Sequence, residues 1–237
     1  MSIQNFLESV QHRPSTETVF NPWKDYDPQN DLDMNAPRYR FDHLTRYMTE
    51  RKSSAKMLLV AEATGYQGAK RSGLAMSSER DLLRTNGELQ ITESKYFSGE
   101  KYRTSKVRLP SRKSLLEGSI EPTATIVWNT MTSLMGSHDF VLWNSFAWHS
   151  HIAGDMLTNR TPTDDELESG KPTLELFLQT FAGRPVVAVG RKAETILTQF
   201  GVPHYPVRHP ANGGATKFRN GIAELLQNMP LTFPQNL

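Results

Sequence analysis

Short apolar runs punctuate this chain, and its other apolar positions recur at helical spacing. The first run, Met57-Leu58-Leu59-Val60-Ala61, ends in the turn material Thr64-Gly65-Tyr66-Gln67-Gly68. A second, Asp139-Phe140-Val141-Leu142-Trp143, ends at Asn144. Pro185-Val186-Val187-Ala188-Val189 is closed by Gly190, and His204 to Val207 runs into Arg208-His209-Pro210-Ala211-Asn212-Gly213-Gly214. Each run has the length of a buried strand. Between them the spacing predicts helices over Ile3 to Gln11 and about Arg40 to Glu50, and a helix start at Ser78-Glu79-Arg80-Asp81. Further helices are predicted after Pro122 (Ile126, Val127, Met131, Leu134, Met135), through Leu174 to Leu178 behind a loop and helix start at 159–170, over Arg191 to Phe200, and over about Thr216 to Asn228. Apolar strands alternating with helices predict a parallel sheet covered on both faces. The expected fold class is α/β: a single domain, 1–237, with a central four-stranded parallel sheet flanked by helices. Residues 1–55 are polar and irregular and are expected to wrap its surface.

Composition narrows the function classes. The 237 residues are 37% hydrophobic, enough for a sizeable core, which excludes a wholly disordered chain. Lys plus Arg is 27 against 25 acids, and a net charge of +2 points to no partner by itself. The absence of cysteine excludes disulfides, thiol nucleophiles and Cys-ligated metal clusters. No apolar stretch approaches the roughly 20 residues of a spanning helix, and Met1 to Val10 lacks the apolar core of a secretory signal. A soluble, cytoplasmic monomer with no membrane partner is expected. No Gly-x-Ser-x-Gly elbow, phosphate loop or Gly-x-Gly-x-x-Gly fingerprint occurs. His149 and His151 lie near Asp155, but no second ligand cluster accompanies them, so no metal is expected.

Right-handed crossovers put all four strand ends on one edge, where open α/β sheets bind ligands. Three of those ends carry unusual polar residues: Glu62 with the Gly65-Tyr66-Gln67-Gly68 turn, Asn144, and His209 with its Gly-rich turn. Singly, each reads as a cap, a turn former or a bend. Their joint placement marks a candidate site.

These blocks resemble the uracil-DNA glycosylase superfamily. Val60-Ala61-Glu62-Ala63-Thr64-Gly65, followed by Ser72-Gly73-Leu74-Ala75-Met76, is similar to the first motif of its iron–sulfur branch. Asn144 with Asn159-Arg160-Thr161-Pro162-Thr163-Asp164-Asp165-Glu166 resembles the second block, Val187 to Ala193 a strand-Gly-Arg-x-Ala element, and His209-Pro210-Ala211 the final motif. The match runs in order over about 57–225.

The resemblance implies hydrolysis of the N-glycosidic bond of uracil, or of a related deaminated base, in DNA, with no cofactor. A glycosylase takes its base out of the stack into a closed pocket. Asn144 is then the residue that answers uracil's O4 acceptor and N3–H donor with one carboxamide. His209 and the backbone amides around Glu62 and Ala63 stabilise charge on the departing base. Glu62 orients water or stabilises positive charge on the sugar. Gly65, Tyr66 and Met76 belong to the substrate pocket, and Lys70, Arg71, Asn212 and Gly213 to the DNA contact.

The chain also departs from the family pattern. Ala63 stands where the best-known branch has a water-positioning Asp, Met76 where an aromatic stacks on the base, and Gly213 where a wedge enters the duplex. Tyr66, Phe146 or Trp148 are the substitute stackers, and Asn212 or Phe218 the substitute wedge. The four cysteines of the iron–sulfur branch are absent. Those departures keep two alternatives open: a weak or inactive nucleic-acid-binding member, and an enzyme of free nucleosides or nucleotides. The basic stretch Lys101 to Lys113, six cations and no acid, reads either as a phosphate-tracking loop or as a solvated one.

Overall fold

The computed structural model describes residues 2–84, 95–106 and 118–228. Four strands, β2 (Met57–Ala63), β3 (Phe140–Phe146), β5 (Val186–Val189) and β6 (Tyr205–Val207), form a parallel sheet in the order β3-β2-β5-β6. Nearly every residue of the first three is buried, which is why they read as continuous apolar runs rather than alternating ones. Register sets Ala61 opposite Asn144 and Val60 opposite Ala188, while Val189 pairs with Val207. Asn144 therefore lies inside β3 rather than at its end, and β3 runs on to Phe146.

Helices α1 (Ile3–His12), α2 (Ala36–Arg51), α3 (Ala69–Ser72), α4 (Glu79–Arg84), α5 (Pro122–Leu134), α6 (Asp164–Thr180), α7 (Arg191–Gln199) and α8 (Ala215–Asn228) complete the fold. Helix α6 packs on β3 and α1, α7 on β2 and β5, and α5 on α8, which borders β6. A capping box starts α6: the Thr163 hydroxyl accepts from the Glu166 N–H, and the Glu166 carboxylate accepts from the Thr163 N–H. The helix then continues through Gly170 and Pro172, joining two segments that the sequence pattern keeps separate.

The N-terminal segment is not a surface wrap. Asn21 and Trp23 are buried, the Trp23 indole donates to the Gly73 carbonyl at 3.0 Å, and β1 (Val19–Phe20) pairs antiparallel with β4 (His149–Ser150). Its polar residues are internal because they satisfy one another. Arg40 grips both oxygens of Asp31 at 2.6 and 2.8 Å, and Lys70 meets Asp27 at 2.7 Å. Trp143 stacks with Trp23 and Phe177 in the core beneath β3.

Candidate active site

The chain leaves β2 toward β3 on one side and leaves β5 toward β6 on the other, so the order of the sheet reverses between the neighbouring strands β2 and β5. A crevice opens at such a switch point outside the strand ends. Here it is a cavity of about 900 Å³ lined by Glu62, Ala63, Gly65, Met76, Asn144, His209 and Asn212, among others. Seven of the residues singled out from sequence thus share one cavity.

Asn144 owes its orientation to Thr64. The Thr64 hydroxyl donates its only proton to the Ala147 carbonyl at 2.5 Å. Toward Asn144 it can only accept, so the Asn144 Nδ2 at 3.2 Å is the donor. One N–H and the carbonyl oxygen Oδ1 remain for a ligand, a donor and an acceptor side by side. Thr64 reads as a turn former in the sequence; its neighbour in space, not its type, gives it this task.

His209 is fixed from its other side. The Ala211 N–H donates to Nδ1 at 3.1 Å, so Nδ1 carries no proton and Nε2 is the ring's N–H. Burial draws the imidazole below its ordinary value, the Arg208 charge adds to this, and Glu62 opposes it. The ring is therefore neutral at pH 7 and presents a donor. Two glycines allow the turn that carries it. At Gly190, φ is +90° and a Cβ would stand 2.8 Å from the His209 Cβ. A Cβ on Gly214 would stand 2.0 Å from the His209 carbonyl oxygen, so no other residue fits there.

Glu62 pairs with Lys192 at 3.1 Å, and Lys192 also donates to the Thr161 hydroxyl at 2.6 Å. Lys192 ties β2, the loop before α6 and the start of α7 together at the cavity edge. It was not singled out from sequence, where it falls in a strand-Gly-Arg-x-Ala element. Asn159 accepts from the Tyr66 N–H at 3.0 Å and so holds the loop after β2. Arg160 folds back as a fork on Glu166 at 2.7 and 3.0 Å, which makes it scaffolding.

Several expectations are corrected. Lys70 and Arg71, expected to be exposed contacts, are buried and engaged within the protein. Lys70 is ion-paired to Asp27 over the Phe20 ring, and Arg71 donates to the Tyr66 carbonyl. Tyr66, Phe146 and Trp148 are not on the cavity wall; Phe146 and Trp148 belong to the core. Phe218 is fully buried and packed in the core, so it is no wedge. Gly213 is exposed with open space around it but does not line the cavity, whereas Asn212, at φ +52°, does. Met76 lines the cavity in the left-handed region, at φ +46°. In the basic stretch, Lys101 is buried and donates to the Gly99 carbonyl, Arg103 donates to Ser105, and Lys106 donates to Pro28; 107–117 lie outside the described residues. The exposed cations on the cavity wall are instead Arg191, Lys192 and Arg208. Both ring nitrogens of His149 contact backbone carbonyls, those of Thr64 and Met156.

No helix among the described residues is long and apolar enough to cross a membrane. No family model and no curated protein matches the chain. Among solved structures, the crystal structure of wild-type Pedobacter heparinus SMUG2 is similar, with a TM-score of 0.60 over 96% of this chain and 97% of that one, at 12% identity. That likeness is one of fold: an α/β domain with a four-stranded parallel sheet flanked by helices.

Proposed function

We propose that the chain is a DNA glycosylase that hydrolyses the N-glycosidic bond of uracil or a related deaminated base. One observation carries this reading: a carboxamide with one N–H and its carbonyl oxygen left for a ligand shares a cavity with a neutral imidazole whose Nε2 holds the proton. An extruded uracil places O4 against the Asn144 N–H and N3–H against Oδ1. Bond cleavage leaves negative charge largely on O2, and the His209 Nε2–H is the group to stabilise it. Glu62, kept beside Lys192, faces the sugar side, where it orients water or stabilises positive charge. Fold likeness alone does not fix activity, so the argument rests on this site.

Asn144→Asp tests it. The carboxylate keeps the shape, accepts only and repels O4, and an unpaired charged group in such a site costs more than the usual 1–3 kcal/mol of an unsatisfied one. Uracil release from an oligonucleotide is expected to fall at least tenfold. The melting temperature is expected to fall by only a few degrees, because the Thr64 hydroxyl can turn its proton to the new carboxylate at the cost of its bond to the Ala147 carbonyl. Retained excision with lost stability would leave Asn144 a structural residue only.

Arg191 and Arg208, exposed at the cavity, take over the phosphate-binding role first expected of Lys70 and Arg71. Removing one cation from a bound phosphate lowers the log–log salt dependence of binding by about 0.7–0.9. Arg191→Ala and Arg208→Ala are each expected to flatten the slope by that amount. A slope that neither variant changes removes them from the footprint. A binding-only protein is the second reading, favoured by Ala63, which places no carboxylate beside Glu62 to activate water.

A further inference from the structure

Glu121 stands on the same cavity wall as Asn144 and His209, beside Gly68 and Thr123. Its sequence context, a carboxylate just before Pro122 at a helix start, accounts for half of what it does. Oε1 accepts from the Thr123 N–H at 3.1 Å and from the Thr123 hydroxyl, and so caps α5. Oε2 is shielded from solvent and has no hydrogen-bond partner. A buried polar atom left without a partner calls for an explanation, and on a cavity wall the missing partner is a ligand group. The terminal torsion of Glu is soft, so the carboxyl can turn to present Oε2 to a group bound in the cavity that Glu121 lines.

Because two donors hold Oε1, a proton on this carboxyl sits on Oε2. Burial raises the group to about 7, against which the Thr123 and Ala124 N–H groups pull it down, and the Asp81 charge from α4 adds to the rise. The other ionisable groups on the cavity are Glu62, Arg191, Lys192, Arg208 and His209, and burial draws the His209 imidazole below its ordinary value, opposite in direction to the shift at Glu121.

We propose that Glu121 is a base-reading residue, a neutral carboxyl whose Oε2–H donates to a carbonyl oxygen of the bound base. It rests on the glycosylase reading above and deepens it. A donor at this place favours bases that carry a carbonyl where the undamaged base carries an amino group, since two donors facing each other leave both unpaired. Loss of the proton replaces that donor with a negative charge beside the departing base.

The test uses uracil release from an oligonucleotide in single turnover, from pH 6 to 8.5, with wild type, Glu121→Gln and Glu121→Ser. Gln keeps both the cap and a donor without titrating; Ser keeps a cap oxygen but cannot reach the cavity. Wild-type excision is expected to decline as pH rises through 7. The Gln variant is expected to match wild type at pH 6 within about threefold and to lose that decline. The Ser variant is expected to be about tenfold slower at pH 6 with an unchanged melting temperature. Both variants excising at the wild-type rate, with the wild-type pH profile, would overturn the inference and leave Glu121 a helix cap. A wild-type protein that releases no base at any pH is a different failure, that of the glycosylase reading itself.

Discussion

Replacing His209 by Ala is expected to lower single-turnover excision by about 10²–10³-fold, the usual loss for one donor aimed at developing charge. The size follows from preorganisation. The Ala211 N–H fixes the tautomer, the Gly190 and Gly214 backbones fix the turn, and the neutral ring needs no proton transfer before it donates. Water admitted by the smaller side chain would have to reorient as charge builds on the base. The half-buried side chain leaves with one hydrogen bond, worth roughly 0.5–1.5 kcal/mol, so the protein stays folded. Oligonucleotide affinity at fixed salt should change little. An excision rate within a few-fold of wild type would reduce the His-Pro turn to a structural bend.

Lys70→Ala is expected to have the largest effect on stability, about 3–5 kcal/mol, because it leaves Asp27 as a buried charge without its partner. Burial draws the Lys70 ammonium below its ordinary range, and Asp27 draws it back up. Asp27 lies below the ordinary carboxylate range: burial alone would raise it, but the Lys70 charge and the hydrogen bonds from Lys70 and Asn30 outweigh burial. At 2–4 °C per kcal/mol for a protein of this size, the melting temperature should fall by roughly 10 °C. The double variant Lys70→Met with Asp27→Leu should recover much of that loss, since it removes both charges together. A single variant melting within a degree or two of wild type would show that the pair holds nothing in place. The same substitution should leave the salt slope of oligonucleotide binding unchanged.

The sheet was legible in the sequence because strands buried on both faces cannot hide their apolar runs, and Gly190 and Gly201 mark where elements stop. Strand pairing over two residues leaves no period to detect, which is why β1 with β4 was invisible. Lys70 and Arg71 show why charge next to a motif misleads. Sequence displays the cation, while its partner Asp27 lies 43 residues upstream in a segment read as surface. Thr64 and Lys192 act through neighbours brought by other strands, and no local pattern distinguishes them from a turn former and a solvated lysine. Glu121 announced only its capping half, since the other carboxyl oxygen has meaning only beside the cavity. What the residues did declare was the edge: Glu62, Asn144 and His209 close runs that parallel connections must align.

That alignment has a kinetic side. Glu62 and Asn144 lie on two of the four parallel strands and Gly190 and His209 just past the ends of the other two, and no two adjacent strands of this sheet are joined by a tight hairpin. Parallel pairing demands long loop closures before any contact rewards them, so such a sheet forms late and as a unit. A nascent chain lacks the complete pocket until β6 has been made. The imidazole arrives with β6, after the carboxamide that it must face has long been synthesised. Base release would therefore report complete assembly of the sheet, and its recovery during refolding should lag any spectroscopic signal of helix formation.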